Sequence, residues 1–134
     1  MAIQFSITVA NAMLDQIETT IGTSAIMKIR TGSAPATCAT ADSGTVVATL
    51  NLPSDWMAAA ASGSKAKSGT WSDSSADATG TAAHYRIYAS DGTTCHQQGT
   101  VTITGGGGDL TVDNTSFASG QSFTVSPFTW TAQV

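Results

Sequence analysis

The sequence predicts a mainly β fold, an antiparallel β-sandwich or jelly roll with an N-terminal arm and one short helix. Short segments rich in Thr, Val and Ile alternate with turn signals along most of the chain. Only the first twenty or so residues contain a helical period. The length of 134 residues fits one domain. Within it, we assign residues 1–22 to the arm and helix and residues 23–134 to the sandwich.

The N-terminal ten residues alternate between apolar and polar side chains. Ile3, Phe5, Ile7 and Val9 are the apolar members. A period of two is typical of a β-strand, so this pattern predicts a strand or an extended arm.

A helix is predicted over residues 11–21, because the apolar spacing changes there from two to four. Asn11 is a candidate N-cap, and Gly22 lies where a helix usually ends. Such a stripe either covers the sandwich core or docks on another protein. Its members are Val9, Met13, Leu14, Ile17 and Ile21.

The rest of the chain predicts strands and loops. Residues 31–44 are small and polar and predict a loop, whereas residues 54–61 fit either a helix or a strand. Residues 59–80 have the lowest complexity and predict a mobile loop or hairpin. Asp91-Gly92 predicts a two-residue hairpin turn. The predicted strands cover residues 26–30, 45–52, 68–71, 82–89, 93–104, 110–112 and 122–131.

The predicted strand 82–89 has two distinct faces. Ala83, Tyr85, Ile87 and Ala89 share one face. His84, Arg86 and Tyr88 share the other, which we expect to be the outer face of a hairpin.

Charge and hydropathy exclude several classes of protein. The net charge is −4, and five Lys and Arg residues are too few for appreciable nucleic-acid affinity. No apolar stretch approaches the length of a membrane span, and no secretory signal is evident. We therefore expect no nucleic-acid partner, no membrane association and synthesis in a cytoplasm.

Cys38 and Cys95 are the two cysteines of the chain. A reducing cytosol favours free thiols, although a disulfide stays open if the two Cα atoms lie within about 7 Å. A zinc site would have to combine both cysteines with His84 and His96. Their spacing lacks the close pairs typical of zinc ligands, so we expect no metal and no cofactor.

No enzyme signature accompanies the many serines and aspartates. There is no GxSxG elbow, and most aspartates lie in turn-like segments. Gly105–Gly108 lacks the GK[ST] of a P-loop. The aromatic residues form either a core or a sugar-stacking platform, with Tyr88 as the best exposed candidate. They are Trp56, Trp71, Trp130, Tyr85 and Tyr88.

Most of the chain resembles a group of small virion proteins of tailed bacteriophages. The matching segments are Asp15-Gln16-Ile17-Glu18 with Ile21-Gly22; Ile29-Arg30-Thr31-Gly32 with Pro35 and Cys38; Asp42-Ser43-Gly44-Thr45; Leu52-Pro53-Ser54-Asp55-Trp56-Met57; Gly80-Thr81-Ala82; Tyr85-Arg86-Ile87-Tyr88; Cys95-His96-Gln97-Gln98-Gly99-Thr100-Val101; Asn114-Thr115-Ser116; and Gly120-Gln121. The resemblance implies a virion component and carries no catalytic residues. It leaves the position within the particle open.

We therefore expect a non-enzymatic virion structural protein, first of all a capsid decoration (cement) protein. Its expected partners are copies of itself and other virion proteins, above all the major capsid protein. A tail, tail-tip or collar component is the alternative, and a carbohydrate-binding module on a phage fibre is a further one. We expect Ala2 to Val9 to form the arm. The predicted assembly interface consists of Ile3, Phe5, Ile7, Val9, Met13 and Ile17.

Overall fold

The computed structural model describes residues 3–134 and is mainly β, with 36% of residues in strands and 11% in a helix. This confirms the predicted mainly β class and the single helix. The single helix in the described part of the chain, α1, covers Ile7–Ile21. The strands are β1 (Ile26–Arg30), β2 (Val46–Asn51), β3 (Ser64–Ala66), β4 (Trp71–Asp73), β5 (Gly80–Thr81), β6 (His84–Tyr88), β7 (Cys95–Ile103), β8 (Leu110–Val112), β9 (Ser116–Phe117), β10 (Phe123–Val125) and β11 (Thr129–Thr131).

Helix α1 begins earlier than the sequence predicted. Ser6 is the N-cap, and its side chain accepts a hydrogen bond from the Val9 N–H at 3.2 Å. Ile7 and Val9 are therefore helical, and the predicted strand-like arm is wrong for them. Asn11 does not cap the helix, because it lies within it. The predicted end at Gly22 is confirmed, since Gly22 adopts a φ of +91° and its N–H donates to the Glu18 carbonyl. Ala2, the first residue of the predicted arm, lies outside the described residues.

Five strands form the largest sheet, in the order β2-β1-β6-β7-β8. The first four are antiparallel, but β7 and β8 run parallel. This departs from the purely antiparallel sheet that we predicted. The chain turns back through the glycine run 105–108. A Cβ on Gly106 or Gly108 would lie 2.8 Å from Thr102, so this close return requires glycine.

The hairpin between β6 and β7 is longer than predicted. The Ala89 N–H donates to the Thr94 carbonyl, so residues 90–93 form the loop instead of Asp91-Gly92 alone. The Asp91 carboxylate accepts hydrogen bonds from the N–H groups of Thr93 and Thr94. These bonds favour the wider turn over a two-residue one. At the start of β7, Cys95 pairs with Tyr88 and Gln97 with Ile87, which leaves His96 in a bulge.

Three two-stranded sheets complete the fold, and their pairs are β10-β4, β11-β3 and β5-β9. The ambiguous segment 54–61 is not helical; it contributes two isolated bridges, Met57 to Lys67 and Ala61 to Ser64. The predicted strand 68–71 is displaced, because the strands of this region are 64–66 and 71–73.

An aromatic cluster occupies the core. The Trp56 ring lies 5.9 Å from Trp71 and 5.6 Å from Trp130, and Phe128 stacks between Trp71 and Tyr85. Tilted and edge-on contacts of this kind stabilise a core beyond the area they bury. All five share one buried cluster with side chains of the large sheet, including Ile29 and Val101.

Candidate functional site

Helix α1 is held to the body of the protein by its polar side. Lys65 on β3 is almost completely buried, and its Nζ contacts Asp15 Oδ1 at 2.6 Å and Glu18 Oε2 at 2.7 Å. One turn earlier, Asn11 Oδ1 accepts a hydrogen bond from the Gly63 N–H. Asp15 also accepts one from the Ala60 N–H. These four contacts fix the rotation of the helix about its own axis.

The electrostatics of Lys65 agree with this geometry. Burial alone would lower the pKa of Lys65, but the hydrogen bonds and charges of Asp15 and Glu18 outweigh burial and raise that pKa. The Lys65 hydrogen bond and the Ala60 N–H lower the pKa of Asp15. Lys65 and Asp15 therefore remain charged at neutral pH.

A second side of the helix is apolar and buried. Ala10, Leu14 and Ile21 pack towards the interior. Just after the helix, the Gly22 carbonyl accepts a hydrogen bond from Trp56 Nε1 at 2.9 Å. The prediction that the helix covers the core thus holds for Leu14 and Ile21.

A third side of the helix is apolar and exposed. Val9, Met13 and Ile17 are 45%, 44% and 37% exposed. Ile3 and Phe5, in the segment before the helix, and Ile7, its first residue, are exposed as well. We call the whole set the apolar face: Ile3, Phe5, Ile7, Val9, Met13 and Ile17. These are six of the eight exposed large apolar side chains within residues 3–134; the other two are Ile103 and Val134.

The six residues of the apolar face are the ones that the sequence predicted as an assembly interface. Its N-terminal part is tied to the body by the Phe5 N–H, which donates to the Gln133 carbonyl at 3.1 Å. A shallow cavity of about 260 Å³ borders it, lined by Met13, Ile17 and the bulged His96 among others. Clustered exposed apolar side chains of this kind typically mark interaction surfaces.

A second polar cluster lies on the face of β6 that carries His84, Arg86 and Tyr88. It is centred on Asp42, in the loop of residues 31–45 (loop 31–45). Asp42 Oδ2 contacts Arg30 Nη2 at 2.9 Å, and its Oδ1 accepts hydrogen bonds from Arg86 Nη1 and from the Tyr88 hydroxyl. Arg86 also donates to the carbonyls of Thr37 and Thr40. Loop 31–45 therefore covers the face of β6 that we predicted to be exposed.

This cover corrects the predicted outer face of the β6 hairpin. Arg86 and Tyr88 are buried, and His84 is fully buried with Nδ1 2.6 Å from the Gly32 carbonyl. Partial burial would raise the pKa of Asp42. The hydrogen bonds from Tyr88 and Arg86 and the charges of the two arginines lower it by more, so the net shift is downward.

The aromatic residues offer no exposed platform for stacking a sugar. Trp56, Trp71 and Tyr88 are completely buried, and Tyr85 and Trp130 nearly so. The expectation that Tyr88 is exposed is therefore wrong. Its hydroxyl donates a hydrogen bond to Asp42, and the centre of its ring lies 5.0 Å from Lys28 Nζ.

The candidate metal ligands do not converge. Cys38 and Cys95 are free thiols with Sγ atoms 2.8 Å apart, whereas His84 is buried under loop 31–45 and His96 faces helix α1. Residues 3–134 contain no group of three or more His, Cys, Asp or Glu side chains arranged to hold a metal ion. Within the same residues, the helix does not have the length and apolar character needed to cross a bilayer.

Sequence reasoning missed the residues that orient the apolar face. Lys65 lies in the low-complexity stretch 59–80, which predicted only a mobile loop or hairpin. Asp15 and Glu18, three positions apart on one side of a helix, were the available signal for a shared cation. A comparison with protein-family models, curated proteins and solved structures found no match.

Proposed function

We propose that this chain is a non-enzymatic structural protein of a phage virion, most specifically a capsid decoration protein that docks through its apolar face. The observation that carries the proposal is the orientation of α1. Its charged side is bound by the buried Lys65, and its Leu14 and Ile21 fill the core as in an ordinary surface helix. Val9, Met13 and Ile17 are therefore apolar side chains in excess of those the core takes, and they stay exposed.

The composition of the chain supports the same role. Charged residues make up 10% of the sequence, and Thr, Ser, Ala and Gly make up more than half. Small neutral side chains permit close contact between neighbouring subunits with little desolvation of charge and little loss of side-chain entropy. The resemblance to virion proteins of tailed phages implies a virion component and leaves its position open; the shell is the position that we propose.

The proposed mechanism is mechanical. Each copy, made in the cytoplasm of the bacterial host, binds the major capsid protein and neighbouring copies of itself at capsomer junctions. Many modest contacts together oppose the outward pressure of packaged DNA. We also infer that the large sheet and the three small sheets form one sandwich-like body behind the apolar face, because a single core cluster joins residues of both.

The strength of the docking contact follows from the exposed fractions. Full burial of a Val, Ile or Met side chain is worth about 1.5–3 kcal/mol. Val9, Met13 and Ile17 retain some two fifths of their surface for a partner. Together they would contribute about 2–3 kcal/mol, which corresponds to roughly 30- to 150-fold in affinity.

The test uses particles assembled without this chain, to which purified protein is added. Bound copies are counted after sedimentation. A variant with Val9→Thr, Met13→Gln and Ile17→Gln should fold normally and bind roughly 30- to 150-fold more weakly. Ile103→Thr is the matched control, because Ile103 is 54% exposed but lies outside the apolar face. Wild-type binding by the triple variant would contradict the docking role.

Electron cryomicroscopy of the particle then locates the copies. Hundreds of copies across the shell would establish decoration. A ring of few copies at the neck, tail or tip would instead establish the tail-associated alternative. Absence of the chain from purified particles would refute a virion role altogether.

A further inference from the structure

We propose that Cys38 and Cys95 form a reversible disulfide that locks loop 31–45 onto strand β7. Cys38 lies in the middle of the loop, and Cys95 is the first residue of β7. The Sγ atoms are 2.8 Å apart, although 57 positions separate the two residues in the sequence. This inference does not depend on the proposed function.

The loop is already held in place around Cys38 by non-covalent contacts. The Thr37 and Thr40 carbonyls, on either side of Cys38, both accept hydrogen bonds from Arg86. The Pro35 carbonyl accepts one from Gln98 on β7 at 2.6 Å. These anchors keep Cys38 against Cys95 while both are thiols, so oxidation requires little movement of the backbone.

A small disulfide, such as oxidised glutathione, is the proposed oxidant. Both cysteines are half-buried, so a small reagent reaches them. Burial and the Cys38 thiol raise the pKa of Cys95 to about 12, which makes Cys95 a poor first nucleophile. We therefore assign the first attack to Cys38.

The exchange balances in two steps. The Cys38 thiolate attacks one glutathione sulfur, which forms a mixed disulfide and releases one glutathione thiolate. Cys95 then attacks Sγ of Cys38 as it loses its proton, and this expels the second glutathione. The protein loses two hydrogen atoms, and one oxidised glutathione becomes two reduced ones.

The experiment treats the full chain with oxidised glutathione and then removes the reagent. We expect the free thiols to fall from two to none, a mass lower by two hydrogen atoms and a monomer on a non-reducing gel. Hydrogen–deuterium exchange of loop 31–45 should slow by at least about tenfold, and dithiothreitol should restore the original rate. Cys38→Ser and Cys95→Ser are the matched controls, because neither single variant can close the bridge.

Three results would overturn the proposal. Two thiols could stay free in the folded protein after treatment. The products could be glutathione adducts or cross-linked dimers in place of an internal bridge. The bridge could also form without slowing exchange in loop 31–45, which would refute the lock even though the disulfide exists.

Discussion

Removing the charge of Asp42 should destabilise the protein measurably. Arg86, the ion-pair partner of Asp42, is 2% exposed, so water cannot solvate its charge if the pair is broken. The Asp42 side chain is 37% exposed. Breaking a buried ion pair costs about 3–5 kcal/mol. Water reaching the exposed part of Asp42 offsets some of this cost, so we expect about 2 kcal/mol for Asp42→Asn. Asp42→Ala, which also removes the acceptor for Tyr88, should cost about 3 kcal/mol.

Urea denaturation measures both changes as differences in the free energy of unfolding. Asp113→Asn is the matched control, since this exposed aspartate should change the value by less than about 0.5 kcal/mol. Hydrogen–deuterium exchange should show faster opening of loop 31–45 in both Asp42 variants. A value for Asp42→Asn within about 0.5 kcal/mol of wild type would refute the reasoning. Gln98 and the loop carbonyls would then suffice to hold Arg86.

Three further predictions follow from the structure. Because the pKa of Asp42 is lowered in the folded protein, its charge contributes stability that is fully present above the ordinary pKa of 3.8 and is lost as the pH falls through the lowered value. The urea midpoint of Asp42→Asn should therefore depend less on pH in this acid range than the midpoint of the wild type. Gly44→Ala should lower the free energy of unfolding by more than about 2 kcal/mol, because Gly44 has a φ of +73° and the added Cβ would lie 1.9 Å from the Thr31 carbonyl oxygen. Gly107→Ala is the control: Gly107 has a φ of +82° with open space around it, so the loss should be only about 1 kcal/mol. Replacing both cysteines by serine should change stability by less than about 1 kcal/mol under reducing conditions, and a loss above about 2 kcal/mol would mean that the bridge persists there.

The main strands of the large sheet were predictable from local patterns, but the position of loop 31–45 over β6 was not. Alternation located β1, β2, β6 and β7 to within two or three residues. The same alternation placed His84, Arg86 and Tyr88 on an outer face, because nothing in the sequence indicates that Asp42 pairs with Arg86 across 44 positions. Pairing over such a distance is decided by the folded chain and leaves no local period. The parallel pairing of β7 and β8 was missed for a different reason: so short a connection, from Ile103 to Leu110, ordinarily joins antiparallel strands.

The start of α1 was misjudged because two periods overlap there. Ile3, Phe5, Ile7 and Val9 alternate as in a strand, yet Ile7 and Val9 also lie on the helix. Ser6 decides between the two structures, since its hydroxyl satisfies a backbone N–H that would otherwise lack a partner in the first helical turn. The six residues predicted as an assembly interface are all exposed, and that part of the prediction does not depend on whether the segment is a strand or a helix. Their role as an interface stays a prediction.

The exposure of the apolar face is imposed by the rest of the fold. Rotating α1 to bury Val9, Met13 and Ile17 would gain about 2–3 kcal/mol from their remaining surface, but it would turn the buried Leu14 and Ile21 out of the core and lose a comparable amount. The same rotation would move Asp15 and Glu18 away from Lys65, and leaving that buried ammonium group unpaired costs about 3–5 kcal/mol. It would also break the Asn11 hydrogen bond to Gly63. The buried Leu14 and Ile21 and the ion pairs of Lys65 therefore both hold the helix in the orientation that leaves Val9, Met13 and Ile17 exposed. A surface kept apolar in this way is available to a partner without any rearrangement of the protein that carries it, which is what a subunit that docks in many copies requires.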